Sequence, residues 1–223
     1  MTLLEAGCGD GFVVSELAKT FPQDQFFGYD PYFEDDVLQH LRERYKQIEN
    51  LRLFKQPGEL SSMNARMSIV TLLDVIEHIE DEVAALIELR QSPAITRETT
   101  FIITVPAHQK LFSDHDVFMK HFRRYNKELL RSRLTAAGFE IIEMRYFFFS
   151  LLVPRWLQKR LESKKTSTQT GQKGVSAWRG GKIKTALFRN LLIFDWRLSE
   201  LFHQIGIRLP GLSLLCICRP VAS

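Results

Sequence analysis

"LEAGCGDGF", running from Leu4 to Phe12, is the stretch on which the fold of this chain turns. A short apolar run, Thr2–Ala6, leads into it, and Gly7, Gly9 and Gly11 then fall at alternate positions. A helical pattern over Phe12–Thr20 follows. Strand, glycine turn and helix in that order let backbone come close to a nucleotide, because glycine allows the tight turn and carries no side chain to collide with the ligand. The dinucleotide fingerprint spaces its glycines G-x-G-x-x-G. Here the third glycine comes one residue early and Phe12 stands in its place, so a pyrophosphate site is disfavoured. Asp30 closes the next apolar run in "FFGYDP", about where an acid meets ribose hydroxyls.

Outward from this stretch, short apolar strands alternate with helical patterns. Gln25–Tyr29, Leu51–Phe54, "MSIVTLLD" and "TTFIITVP" read as strands two to five, the last stopped by Pro106. Leu38, Leu41, Tyr45 and Ile48 mark one helix, and Val83, Leu86, Ile87 and Arg90 the next. Residues 107–125 read as irregular. Asn126 is placed to cap a helix that ends at Gly138, and "FEIIEMRYFFF" and "GLSLLCICR" complete seven strands. Such alternation argues an α/β, doubly wound, mostly parallel sheet. Between the last two strands lie about sixty residues with two amphipathic helices around a polar loop, "SKKTSTQTGQKG".

"LEAGCGDG", "GYD" and "LLDVIEHIED", taken together, resemble the class I S-adenosylmethionine-dependent methyltransferases, in particular bacterial methyltransferase domains of type 11 and type 23. The resemblance runs from about Leu3 to Phe139 and includes the final strand hairpin, which makes the last strand antiparallel. It implies a Rossmann-like methyltransferase core over 1–149, a helical basic insertion over 150–210 and the final core strand over 211–223. It also implies S-adenosylmethionine as cofactor: Glu5 beneath its amino acid end, Gly7, Gly9 and Gly11 beside its methionine part, Asp30 on the ribose, and Leu73 lining the pocket. The acid that such proteins carry for adenine after the third strand is absent from "FKQPGEL", which leaves Gln56 for that role. Members of this family normally carry a covering helix before the first strand, whereas this sequence opens on the strand.

Ligands of open α/β sheets bind beyond the carboxyl ends of the strands, and two polar stretches reach that edge. One, "PAHQKLFSDHDVFMKHFRRY", gathers ionisable groups unsuited to a core and resembles the "DHD…H…RRY" stretch of methyltransferases acting on glycans, lipids and quinones. His121 and His115 are the candidate bases for a hydroxyl acceptor. Arg123, Arg124 and Tyr125 are the candidate substrate contacts, the arginines for an anionic group. The alternative is that the stretch only folds a lid, with Arg123 paired to Asp116. The other stretch carries Asp74, Glu77 and His78 at helical spacing. With His115 or His121 they resemble the metal site of small-RNA 2′-O-methyltransferases, where the first position is usually Glu. The shorter Asp74 makes a metal-free site the expectation.

Composition sets the remaining bounds. The chain has 223 residues, 45% of them hydrophobic and 25% charged, as in a globular domain. Three cysteines without a CxxC pair, and no secretory pattern ahead of the first strand, point to a reducing cytoplasm. Net charge is +4, yet Arg155–Asn190 holds ten Lys/Arg against Glu162 alone, so that segment is +9 and the remainder −5. Neither flanking helix has the uncharged length to span a bilayer. Basic amphipathic helices suit the inner face of an anionic membrane, while helices that cover the sheet or form a dimer are the plainer alternative. Nucleic acid is disfavoured for want of a recognised motif. The expected function is methyl transfer to a small-molecule, glycan or lipid-linked acceptor. The rival readings are metal-assisted RNA 2′-O-methylation and a non-catalytic cofactor-fold protein acting through its basic helices.

Overall fold

The computed structural model describes residues 1–62, 65–162 and 181–221. In chain order the elements are β1 (Thr2–Ala6), α1 (Phe12–Thr20), β2 (Gln25–Tyr29), α2 (Asp35–Arg44), β3 (Leu51–Phe54), α3 (Pro57–Ser62), β4 (Ile69–Leu73) and α4 (Glu82–Arg90). Then follow β5 (Thr100–Pro106), α5 (Asp114–Phe118), α6 (Lys127–Ala136), β6 (Phe139–Phe147), α7 (Leu152–Glu162), α8 (Gly181–Gln204) and β7 (Ser213–Pro220). The strands form one sheet in the order β3-β2-β1-β4-β5-β7-β6. β1 to β5 pair in parallel, and β7 runs antiparallel to both β5 and β6. The α/β doubly wound seven-stranded reading therefore holds, antiparallel last strand included.

Adjacent apolar residues on a strand point to opposite faces, and here both faces are covered. Leu3, Phe26 and Leu53 pack with Val14 and Ala18 of α1 and with Leu38 and Leu41 of α2. Their successors Leu4, Phe27 and Phe54 pack into a second core with Leu86 of α4 and with Leu130 and Leu134 of α6. This explains the unbroken apolar runs, and each fully buried Phe or Leu contributes about 1.5–3 kcal/mol. The Asn126 side chain accepts a hydrogen bond from the Leu129 N–H at 2.7 Å, capping α6, and Gly138 follows that helix at φ 80°. Cys216 and Cys218, on one face of β7, are buried free thiols.

From β1 the chain winds outward through β2 to β3, then returns to begin β4 on the other side of β1. The switch point lies between β1 and β4, where such sheets open a crevice at their carboxyl edge. Both helices of the expected insertion are present as α7 and α8, while the polar loop between them lies outside the described residues. Among the described residues no helix is long and apolar enough to cross a membrane. The stretch expected to be irregular contains a 3₁₀ turn over Gln109–Leu111 and then α5, capped by Ser113 with Asp116 reaching back to the Ser113 N–H.

Candidate active site

The glycine loop sits at this crevice. Gly7, Gly9 and Gly11 take φ values of 78°, 51° and 70°, in the left-handed region that favours glycine. At Gly7 space also matters: a Cβ would stand 2.6 Å from the Val75 side chain, so the loop rests directly on the residue that follows Asp74. At Gly9 nothing lies within 4 Å of where a Cβ would be. The Gly9 N–H donates to Asp30 Oδ2 at 3.1 Å and the Tyr32 N–H to Oδ1 at 3.0 Å. Each oxygen keeps lone-pair capacity, and Asp30 is partly exposed. Open space over glycine beside such a carboxylate fits a nucleoside with free ribose hydroxyls.

Beneath the loop, Glu5 is buried and accepts the Val14 N–H at 2.9 Å, which ties β1 to the first turn of α1. Burial pushes its carboxyl up to about 7 against the pull of that hydrogen bond, and the charge of Asp10 adds to the rise. Leu73 is half-buried at the end of β4. Gln56 is exposed just beyond β3, on the edge shared with Asp30, whose N–H donates to the Phe54 carbonyl at 3.2 Å.

The "DVIEH" stretch forms a tight 3₁₀ turn over Ile76–His78 rather than a helix carrying Asp74. Asp74 stands ahead of that turn at φ 54°, bonded through its N–H and carboxylate to Thr104. The helical face expected of Asp74, Glu77 and His78 does not form, because the chain turns at Asp74 to leave β4. Glu77 is 0% exposed, and neither of its carboxyl oxygens has a hydrogen-bond partner among the described residues. Burial pushes its pKa up to about 9, with the charge of Asp74 adding to the effect. His78 lies edge-on to His121 with ring centroids 4.5 Å apart. Burial holds its pKa below the ordinary value, and His121 lowers it further. The Phe122 N–H donates to the Glu77 carbonyl at 2.8 Å and holds the two segments together.

Asp116 on α5 organises the other side of this corner. Its Oδ1 meets His121 Nδ1 at 3.0 Å and Arg124 Nε at 2.7 Å, and its Oδ2 meets Arg155 Nη2 at 3.1 Å. Burial alone would raise its pKa, but hydrogen bonds from His121 and Arg124 hold it well below the usual carboxylate range. Arg124, not Arg123, is thus its arginine partner in this stretch. Arg123 instead pairs with Glu82 and donates to the Ile79 and Glu80 carbonyls. Tyr125 is fully buried, its hydroxyl 3.4 Å from the Ile76 carbonyl. The three residues expected to meet substrate therefore have internal partners. His115, half-buried one residue before Asp116, lies outside the group of Glu77, His78 and His121, whose ligand atoms lie within 4.8 Å of one another. Sequence reasoning counted Arg155 as surface charge, and nothing in its neighbourhood signals that it turns inward to Asp116.

This arrangement matches known proteins at the level of the fold. A protein from Archaeoglobus fulgidus described as a SAM-dependent methyltransferase aligns with 98% of this chain and 85% of its own, at 17% identity and TM-score 0.52. A Bacillus halodurans protein described as a putative methyltransferase aligns with 99% of this chain and 93% of its own, at 17% identity and TM-score 0.52. A chain from the Haloferax volcanii complex of the Trm112 methyltransferase activator with a putative methyltransferase aligns with 100% of this chain and 82% of its own, at 13% identity and TM-score 0.54. Comparison with curated protein sequences gives no match. The family profile described as "Methyltransferase domain" matches residues 1–144, well over half of the chain, and the chain belongs to that family.

Proposed function

We propose that this S-adenosylmethionine-dependent methyltransferase transfers its methyl group to a hydroxyl of a small-molecule, glycan or lipid-linked acceptor. Asp30 accepts hydrogen bonds from the ribose, Gly7, Gly9 and Gly11 pass beside the methionine part, Glu5 supports that loop from below, and Leu73 and Gln56 border the adenosine. S-adenosylmethionine, when bound, supplies an electrophilic methyl on a sulfonium. His121, its Nδ1 held by Asp116, offers Nε2 as the acceptor of the hydroxyl proton. His115 is the reserve candidate. Arg123, Arg124 and Tyr125 act as positioning residues, because their partners are internal. The observation that carries this reading is the contact between Gly7 and Val75, which seats the glycine loop against the segment holding the His78–His121 corner.

Asp30→Ala should weaken S-adenosylmethionine binding by about 1.5–3 kcal/mol, the scale for hydrogen bonds to a charged group. Calorimetry that finds wild-type affinity in this variant would remove Asp30 from the site. Gly9→Val should do more harm, since its backbone sits at φ 51° and the new side chain would fill the open space.

The second part of the proposal is peripheral association with an anionic membrane. It is supported by α8 as far as Phe194, where Ile183, Leu187 and Phe194 are exposed alongside Lys182, Lys184 and Arg189 and no acid stands before Asp195.

A further inference from the structure

We infer that Glu77, His78 and His121 form a binding site for one divalent transition-metal ion, with coordination positions left open for an oxygen of the acceptor. The ion site stands on its own geometry, and only the role of the acceptor rests on the function proposed above.

Three observations carry it. First, the ligand atoms of these residues lie within 4.8 Å of one another, and ligands around a zinc-sized ion stand roughly 3–4 Å apart, so modest side-chain adjustment closes the site. Second, Glu77 is wholly buried with both oxygens unpartnered among the described residues, a costly arrangement that a bound cation satisfies. Third, the His121 imidazole is already oriented. His121 is held through Nδ1 by Asp116, which leaves Nε2 open, and Asp116 is itself anchored by Arg124 and Arg155. The His78 ring stands edge-on to that of His121, with centroids 4.5 Å apart. A ligating histidine whose other nitrogen is bonded to a carboxylate or to backbone is the usual architecture of such sites.

Two imidazoles and one carboxylate suit Zn²⁺, Co²⁺ or Mn²⁺ better than Ca²⁺ or Mg²⁺, which favour oxygen ligands. With three protein ligands the ion keeps open positions. A hydroxyl bound there loses its proton to water more readily. Its oxygen forms the new C–O bond as the sulfur–methyl bond breaks, and that bond's electron pair stays on sulfur to give a neutral thioether. His121 Nε2 cannot ligate and accept the proton at once, so in the loaded protein the ion takes over what the free imidazole would do.

The test uses the full chain stripped of metal, without cofactor or acceptor. Zn²⁺ is titrated by calorimetry and Co²⁺ by its visible absorption. One ion should bind per chain, and millimolar Mg²⁺ should not displace it. Glu77→Gln and His121→Ala should each weaken binding roughly 100-fold, at or beyond the scale of losing a residue that supports a ligand. His40→Ala and His203→Ala, both at exposed positions, should leave the titration unchanged. Should circular dichroism show Glu77→Gln unfolded, His78→Ala, which removes a half-buried side chain, carries the comparison. Absence of a bound ion, or equal binding by wild type, Glu77→Gln and His78→Ala, overturns the inference. Because no cofactor is present, that failure would leave the methyltransferase reading and the Asp30 test untouched.

Discussion

Glu5 and Glu77 look alike in the sequence, each an acid beside an apolar run, and burial separates both from ordinary carboxylates. Glu5 keeps a partner in the Val14 N–H, whereas Glu77 has none among the described residues. For Glu5 the folded pKa of about 7 lies above the ordinary carboxylate value of 4.5. Its contribution to stability is therefore fully present below the unfolded value. It is lost as pH rises from there toward 7, because the unfolded chain then gives up a proton that the fold retains. The slope approaches about 1.4 kcal/mol per pH unit. Glu5→Gln should flatten that dependence, and urea midpoints measured at pH 5, 6 and 7 would show it. Equal slopes in the two proteins would mean that Glu5 is ionised in the fold. Gly9 and Asp30 were legible as residues because their chemistry follows from type and spacing. Glu77 as a solitary buried acid was not, since isolation depends on what surrounds it.

Among the elements, α5 is short and unmarked by any apolar period, which is why residues 107–125 read as irregular. Its stability comes from the Ser113 cap and from Asp116, which binds Arg124, Arg155 and His121. Through Arg155 the same carboxylate fastens α7, whose Lys159 also reaches the Lys110 carbonyl. Arg155→Ala should cost about 1.5–3 kcal/mol, the scale of a hydrogen bond to a charged partner. Asp116 retains Arg124 and His121, so the effect should be local. Hydrogen exchange should quicken over 152–160 and stay unchanged in β4 and β5. A uniform rise across the sheet would show that Arg155 supports the whole fold instead. The apolar stripes of α7 and α8 were readable from periodicity, but the inward turn of Arg155 was not, because a charge count carries no direction.

At the scale of the molecule, a segment of charge +9 is joined to a remainder of −5, and the described part of α8 shows large apolar residues to solvent. Asp195 accepts the Ser150 N–H at 2.8 Å, and the Arg145 guanidinium lies over the Trp196 ring, so the middle of the helix is docked while its beginning is exposed. Each Lys or Arg close to an anionic surface contributes about 1 kcal/mol. Inserted apolar side chains add a part that salt does not screen. In flotation the protein should rise with anionic vesicles, less so at high salt, and barely with neutral ones. Protein left at the bottom with anionic vesicles at low salt would reduce the basic stretch to a solvated face. The sequence by itself determined the seven strands, their parallel winding, the glycine loop and the carboxylate at the end of β2, because hydrophobic period and glycine spacing are local and act through neighbouring residues. Only the tertiary structure decided which acid pairs with which base around Asp116, that Asp74 leaves the turn, and that Glu77 stands unpartnered beside two imidazoles. Those facts depend on side chains brought together from Asp74 to Arg155, and no local pattern encodes the burial and direction that their chemistry requires.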